Sequence, residues 1–111
     1  MDSRFRAAMR LMRKRDPQLA EDGFGTLLPH TALYADDLIA EFEAERDDRG
    51  LRRWLLELIA ESRAPQALPI FVRELSSEDE SLRDWAADGL RNLDTKEARE
   101  ALYRAKANGQ L

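Results

Sequence analysis

The sequence predicts an all-α protein built of stacked helical hairpins, and three observations carry that expectation. Charged residues make up 36% and hydrophobic residues 43% of the 111 positions, a balance that suits helices with one face in water and one on a shared core. Only 4 Pro and 5 Gly interrupt the chain, and Ala, Leu, Glu and Arg dominate it, all of them good helix formers. The third observation is self-similarity at a shift of 31 residues, developed below. A chain of this length supports a modest core but not two independent ones, so a single domain spanning residues 1–111 is expected.

The first element follows from Phe5, Ala8, Met9 and Met12, spaced i, i+3, i+4 and i+7, which place one apolar stripe on a helix with arginines on its other sides and an end near Arg15. Asp16-Pro17 reads as an N-cap followed by proline at the first helical position, but Gly23, Gly25 and Pro29 leave room for at most one or two short helices before Tyr34. Ala35, Leu38, Ile39 and Phe42 form the next stripe, closed by the charged stretch Glu45 to Gly50. Leu51, Leu55, Leu58 and Ile59 define a helix ending near Ser62, and Pro65 opens another that carries Leu68, Phe71, Val72 and Leu75. After the polar link Ser76 to Ser81, Leu82, Trp85, Ala86 and Leu90 continue the pattern. Ala98, Ala101, Leu102 and Ala105 mark a last helix before Asn108-Gly109, giving six or seven helices.

Displacing the chain by 31 residues lays Asp48 on Asp79, Leu51 on Leu82, Arg52 on Arg83, Trp54 on Trp85, Ile59 on Leu90, Ala67 on Ala98 and Phe71 on Leu102. A period near 30 in helical segments means stacked hairpins, because each hairpin alone leaves its apolar face uncovered and neighbours bury it between them. At these residues, in EDESLRDWAADGLRNLDTKEAREAL and the preceding RDDRGLRRWLLELIAESRAPQALPIF, the chain resembles the HEAT-like repeat family, in the short bacterial form similar to phycocyanobilin-lyase-type repeats. The resemblance covers residues 35–105, with a degenerate repeat at about 4–42. It implies a right-handed α–α superhelix of about three hairpins. The helices starting at Leu51 and Leu82 then line a concave side, and those starting at Ala35, Pro65 and Lys96 lie outside. Two departures stand out: Gly89 replaces a usual alanine, and Trp54 and Trp85 occupy positions where small residues are common.

Within this frame, Asp48 and Arg52, like Asp79 and Arg83, lie four apart across a turn and helix start, where a carboxylate and a guanidinium can bridge repeats structurally. Trp85 lies one turn before Gly89, which leaves room for an indole to lie flat on the helix; the alternative is a binding anchor, tryptophan and arginine being enriched at interface hot spots. The side chains left exposed on the presumed concave helices are Arg53, Glu57, Glu61, Asp84, Asp88 and Arg91, a mixed but mainly acidic row. With Trp54 and Trp85 they form the expected protein-binding surface, suited to a basic partner.

Charge is unevenly placed. Residues 1–15 carry six basic side chains against one acidic, a local net of +5 that leaves −9 for the remainder of a chain whose total is −4. Asp36, Asp37, Glu41, Glu43, Glu45, Asp47 and Asp48 are offset only by Arg46; such a run is a solvated face or, read functionally, a docking surface for a basic partner. Arg4, Arg6, Arg10, Arg13, Lys14 and Arg15 form a basic helix and hence a possible nucleic-acid patch. Acid on the presumed inner helices repels phosphate and argues against that use. The same basic helix has a second possible target, the acidic outer surface of another copy, so a monomer and a weak dimer both stay open.

Catalytic groupings are thin: zero cysteines exclude thiolate chemistry, the one histidine is His30 in a loop-like segment, and Gly23-Phe24-Gly25 lacks the spacing and lysine of a phosphate loop. No enzyme activity, metal or cofactor is expected. No apolar run approaches the roughly 20 residues of a membrane span, and the first residues lack the apolar core of a signal peptide, so the expected compartment is the cytoplasm. Arginine outnumbers lysine 15 to 3, which points to a GC-rich bacterial genome. By fold-level analogy, the expected function is a protein-binding module such as an immunity protein covering a basic toxin. The alternatives are a scaffold or adaptor subunit of a larger enzyme and nucleic-acid binding through the N-terminal helix.

Overall fold

The computed structural model describes residues 2–111, and among them every regular element is helical. Seven α-helices run Ser3–Met12 (α1), Pro17–Leu27 (α2), Ala35–Ala44 (α3), Arg49–Ser62 (α4), Leu68–Glu74 (α5), Glu80–Leu93 (α6) and Lys96–Ala107 (α7). Short 3-10 turns at Leu28–His30 and Pro65–Ala67 precede α3 and α5. Five helix starts are held by an oxygen that the sequence supplies in place: Asp2, Asp16, Asp48, Asp79 and Thr95 each accept from a backbone N–H two or three residues on, satisfying donors that a helix N-terminus leaves free.

Contacts between helix ends arrange the seven helices in two rows. Tyr34 and Asp2 meet at the starts of α3 and α1, and Arg13 reaches Glu41 and Glu45 at their ends, so α1 and α3 are parallel. Gln66 donates to Asp36 and Arg73 to Glu43, which sets α5 parallel to α3; Gln110 donates to Ser76, tying the chain after α7 to the end of α5. In the other row Arg53 meets Asp79 at the starts of α4 and α6, while Asn92 donates to the Ala60 carbonyl and Arg63 to the Asn92 carbonyl near their ends. α2 joins this row through Phe24, whose ring lies 5.0 Å from that of Trp54. The longest helices, α4 and α6, have 14 residues and so are only ~21 Å long at 1.5 Å per residue. The 41 Å long axis of the 41 × 25 × 20 Å molecule therefore runs along the rows, perpendicular to the helix axes.

One hydrophobic cluster fills the space between the rows, drawn from Phe5, Leu38, Phe42, Leu55, Leu58, Ile59, Phe71, Leu90 and their neighbours. Positions 31 apart share their fate here: Leu51 and Leu82, Ile59 and Leu90, and Ala67 and Ala98 are all buried. Arg63 and Asp94, the residues that end α4 and α6, share a left-handed conformation with φ of 55° and 49°.

Several expectations need correction. The segment after Asp16 is a single 11-residue helix, not an interrupted one. Gly23 is a packing residue there: an added Cβ would lie 2.5 Å from the Ala8 carbonyl oxygen and 2.9 Å from Leu11 Cβ, so glycine is what lets α2 close on α1. Pro29 falls in the 3-10 turn that follows, where a missing N–H costs little. α1 ends at Met12, three residues before Arg15, and the side chain of Arg13, its C-cap residue, reaches α3. Val72 is 43% exposed rather than in the core stripe; α5 faces α6 with Phe71, and Val72 looks toward α7, whose Ala101 and Ala105 are too short to cover it.

The indole of Trp85 does not lie on Gly89. That space holds the Phe71 ring, which any Cβ at Gly89 would overlap. Nor do Asp48 and Arg52, or Asp79 and Arg83, form the expected bridges. An N-cap carboxylate turns in toward the helix's first N–H groups, and Asp48 is bonded to Leu51 N at 3.0 Å, Asp79 to Ser81 N at 2.9 Å. Arg52 instead donates to the Glu45 carbonyl and approaches Glu74, and Arg83 donates to the Ser77 carbonyl. The carboxylate–arginine link that does cross between α4 and α6 is Arg53 to Asp79, 3.1 Å.

Candidate protein-binding surface

The exposed edges of α4 and α6 carry the eight residues singled out from sequence. Because these helices are parallel and their edges correspond at 31 residues, Arg53, Trp54 and Glu57 stand beside Asp84, Trp85 and Asp88 in the same order. Trp54 and Trp85 are partly buried and packed against the core, so each indole offers one edge while its body is held. Phe24 of α2 extends this aromatic line through its tilted contact with Trp54. It was missed in the sequence because the glycines on both sides masked its helix.

The charges on this face divide into paired and unpaired. Arg53 is held by Asp79, whose carboxyl burial would push up but which Arg53 and the Leu82 and Ser81 N–H groups together hold below its ordinary value. Arg91 and Asp88 form an exposed pair at 2.9 Å. Glu57, Glu61 and Asp84 have no ion-pair partner among the described residues. Burial pushes the Glu57 carboxyl up, and the nearby Glu61 charge adds to it. Along α6, Asp84, Asp88 and Arg91 line an open groove of about 580 Å³, bordered by Gln110 and Leu111.

This has a pH signature. An acid whose folded pKa exceeds its unfolded one resists ionisation in the fold, so its penalty is absent below an unfolded value of about 4.3 and complete above the raised folded value. Glu57→Gln is therefore expected to raise the urea midpoint at pH 7 and to leave it unchanged near pH 4 or below. Glu43 and Glu45 act oppositely. Arg73 holds Glu43 down, and the Asp48 N–H followed by Arg13 holds Glu45 down, so their stabilisation is present at neutral pH and fades as pH falls through the lowered values. Equal destabilisation by Glu57→Gln at both pH values would contradict the assignment.

The dense acidic run on α3 is mostly consumed internally. Glu41 and Glu45 bind Arg13, Glu43 binds Arg73, Asp36 accepts from Gln66 and Asp48 caps α4. These bonds make it a seam between α1, α3 and α5, with fewer free charges than the sequence suggests. α1 itself is docked, with Phe5, Ala8, Met9 and Met12 buried. Its Arg4, Arg6, Arg10, Lys14 and Arg15 face outward without an ion pair among the described residues, whereas Arg13 is engaged twice.

At the turn end of the molecule lies a cleft of about 430 Å³ that sequence reasoning overlooked. Arg46, Arg49 and Arg52 line it from the α3–α4 turn and the start of α4, opposite Ser77, Glu78 and Asp79 before α6. The available signal was the difference between aligned turns: Arg46 and Arg49 correspond to Ser77 and Glu80.

Every buried side-chain nitrogen and oxygen among the described residues has a hydrogen-bond partner, and no group of three or more acidic or histidine side chains among them is placed to hold a metal ion. No described helix is long and apolar enough to cross a membrane. No protein-family model, no curated protein and no solved structure matches this chain.

Proposed function

We propose that this chain is a non-catalytic protein-binding module, a HEAT-like right-handed superhelix whose α4/α6 face is concave and covers a basic partner. The observation that carries the reading is the unneutralised acid on that face. On α3, by contrast, the acids are engaged by arginine, Glu41 and Glu45 by Arg13 and Glu43 by Arg73. Glu57, Glu61 and Asp84 stand without counter-charge beside two half-buried indoles. Uncompensated charge next to immobilised aromatic anchors costs the free protein something and is regained when a cationic surface arrives. The partner is inferred to be a basic protein, and the role that of a bacterial, cytoplasmic immunity protein or inhibitor. Adaptor duty within a larger enzyme uses the same face.

The test is affinity capture with wild type and an Asp84→Lys, Asp88→Lys double variant, its folding checked by circular dichroism. Both positions are on the surface, so the variant should fold. Capture of one basic protein, weakened on the order of a hundredfold by reversing two interface charges, supports the reading, and the identity of that protein separates inhibitor from adaptor. Undiminished capture by the variant would sink it. Recovery of nucleic acid alone would transfer the site to the outward arginines of α1.

A further inference from the structure

We propose that the cleft between the α3–α4 turn and the α5–α6 turn binds a phosphate group. The inference does not depend on the protein-binding reading, since the residues involved lie at the helix ends and not on the α4/α6 face. Arg46 and Arg49 both line the cleft, both are exposed, and neither has a carboxylate partner among the described residues. The reason is visible in the surroundings. Apart from the exposed Asp47, the nearby acids are already committed: Glu45 to Arg13 and to the N–H groups of Asp47 and Asp48, Glu43 to Arg73, Asp48 to Leu51 N, and Asp79 to Arg53.

Arg52 supplies a fixed wall. Its guanidinium carbon lies 4.2 Å from the centre of the Phe42 ring, its Nε donates to the Glu45 carbonyl at 2.8 Å, and Glu74 stands 3.9 Å from Nη1. A guanidinium held in plane in this way presents its remaining N–H groups to the cleft at little further cost in side-chain freedom. Ser77 faces it: its Oγ accepts from Asp79 N at 3.1 Å, which leaves the hydroxyl proton free to donate outward. Two free guanidiniums, one anchored one and a hydroxyl donor match the several oxygens and double charge of a phosphate monoester. The volume of about 430 Å³ lies within the roughly 300–1,000 Å³ of small-ligand sites. Of the two acids that line the cleft, Glu78 is the one without a partner among the described residues, and it opposes an anion.

The test is a 1H–15N NMR titration of the whole chain with inorganic phosphate, following the Arg46 and Arg49 Nε–H signals and the Ser77 to Leu82 amides, with potassium chloride and acetate at equal ionic strength as references. Saturable shifts are expected with a Kd on the order of 1 mM at pH 7.5, weakening toward pH 5.5 as inorganic phosphate loses its second charge at about pH 7, roughly one unit above a phosphate monoester. Arg46→Gln with Arg49→Gln should weaken binding at least tenfold, and Glu78→Gln should tighten it by about threefold, all these positions being on the surface. A phosphoserine tripeptide run in parallel identifies the source: tighter binding than phosphate assigns the group to a phosphorylated side chain, and equal binding to a free small-molecule phosphate. The proposal is overturned if chloride or acetate reproduces the shifts, if the double arginine variant titrates like wild type, or if Glu78→Gln weakens binding.

Discussion

Phe71→Ala is expected to lower the stability of this protein by about 3–5 kcal/mol, the usual cost of removing a fully buried aromatic ring. Phe71 is 0% exposed and lies between α5 and α6, where its ring fills the space that a side chain at Gly89 would need. With a total stability of roughly 5–15 kcal/mol for a small domain, that loss consumes much of the margin. The informative companion is Gly89→Ala. At an exposed helix interior this change would add up to ~1 kcal/mol through helix propensity; here the methyl meets the ring, and overpacking of ~1–3 kcal/mol outweighs the gain. Urea unfolding of Phe71→Leu, Gly89→Ala and the pair should show a favourable coupling of roughly 1–2 kcal/mol, the smaller residue at 71 making room for the methyl. A stabilising Gly89→Ala would mean that neither the Phe71 ring nor an indole fills that space.

That contact also marks where sequence stops informing. Apolar spacing located six helices correctly because Leu51, Leu55, Leu58 and Ile59, or Leu82, Ala86 and Leu90, report directly which side of a helix faces the core. The same spacing is silent on which neighbour fills a gap. Gly89 was recognised as a missing side chain, but Phe71, eighteen residues away and on another helix, competes for the space with Trp85 and wins because α5 packs on α6 at that level. The segment around Gly23 failed for a related reason. A glycine between Asp22 and Phe24 reads as a break by propensity, and only the backbone of α1 across from it explains why no larger residue fits.

The candidate site was legible in its exposed half. Arg53, Glu57, Glu61, Asp84, Asp88 and Arg91 sit on the edges of α4 and α6 as the helical spacing requires. What spacing could not give was the pairing that decides which charges are free. Arg53 finds its acid 26 residues away in Asp79, and Arg13 finds Glu41 and Glu45 across 28 and 32 residues. Those long-range pairs convert the most acidic stretch of the sequence into a structural seam and leave the acids of the thinner row on α4 and α6 largely unpaired. They also strip Arg46 and Arg49 of partners, so the consequence for function comes from the residues that the pairing leaves over.

Arg52→Met should be costlier than Arg83→Met although the two occupy corresponding positions. Both arginines hold a carbonyl of the preceding turn, Arg52 that of Glu45 and Arg83 that of Ser77, and losing such a charge-assisted bond is worth about 1.5–3 kcal/mol. Arg52 does two further things. It faces Glu74, which is only 8% exposed, and it lies over the Phe42 ring. Methionine keeps most of the apolar stem but leaves Glu74 with Arg73 alone and removes a cation–π contact of about 0.5–2 kcal/mol. Because Arg73 still binds Glu74 at 2.8 Å, the full ~3–5 kcal/mol of an orphaned buried charge is not reached from that pair. A total of about 3–4 kcal/mol for Arg52→Met, against about 1.5–2 for Arg83→Met, is the expected result by urea unfolding. The further change Glu74→Gln in the Arg52→Met background separates the contributions: recovery of about 1 kcal/mol would show that the acid was left short of positive charge. Equal losses for the two arginines would instead place the whole effect in the carbonyl bond that they share.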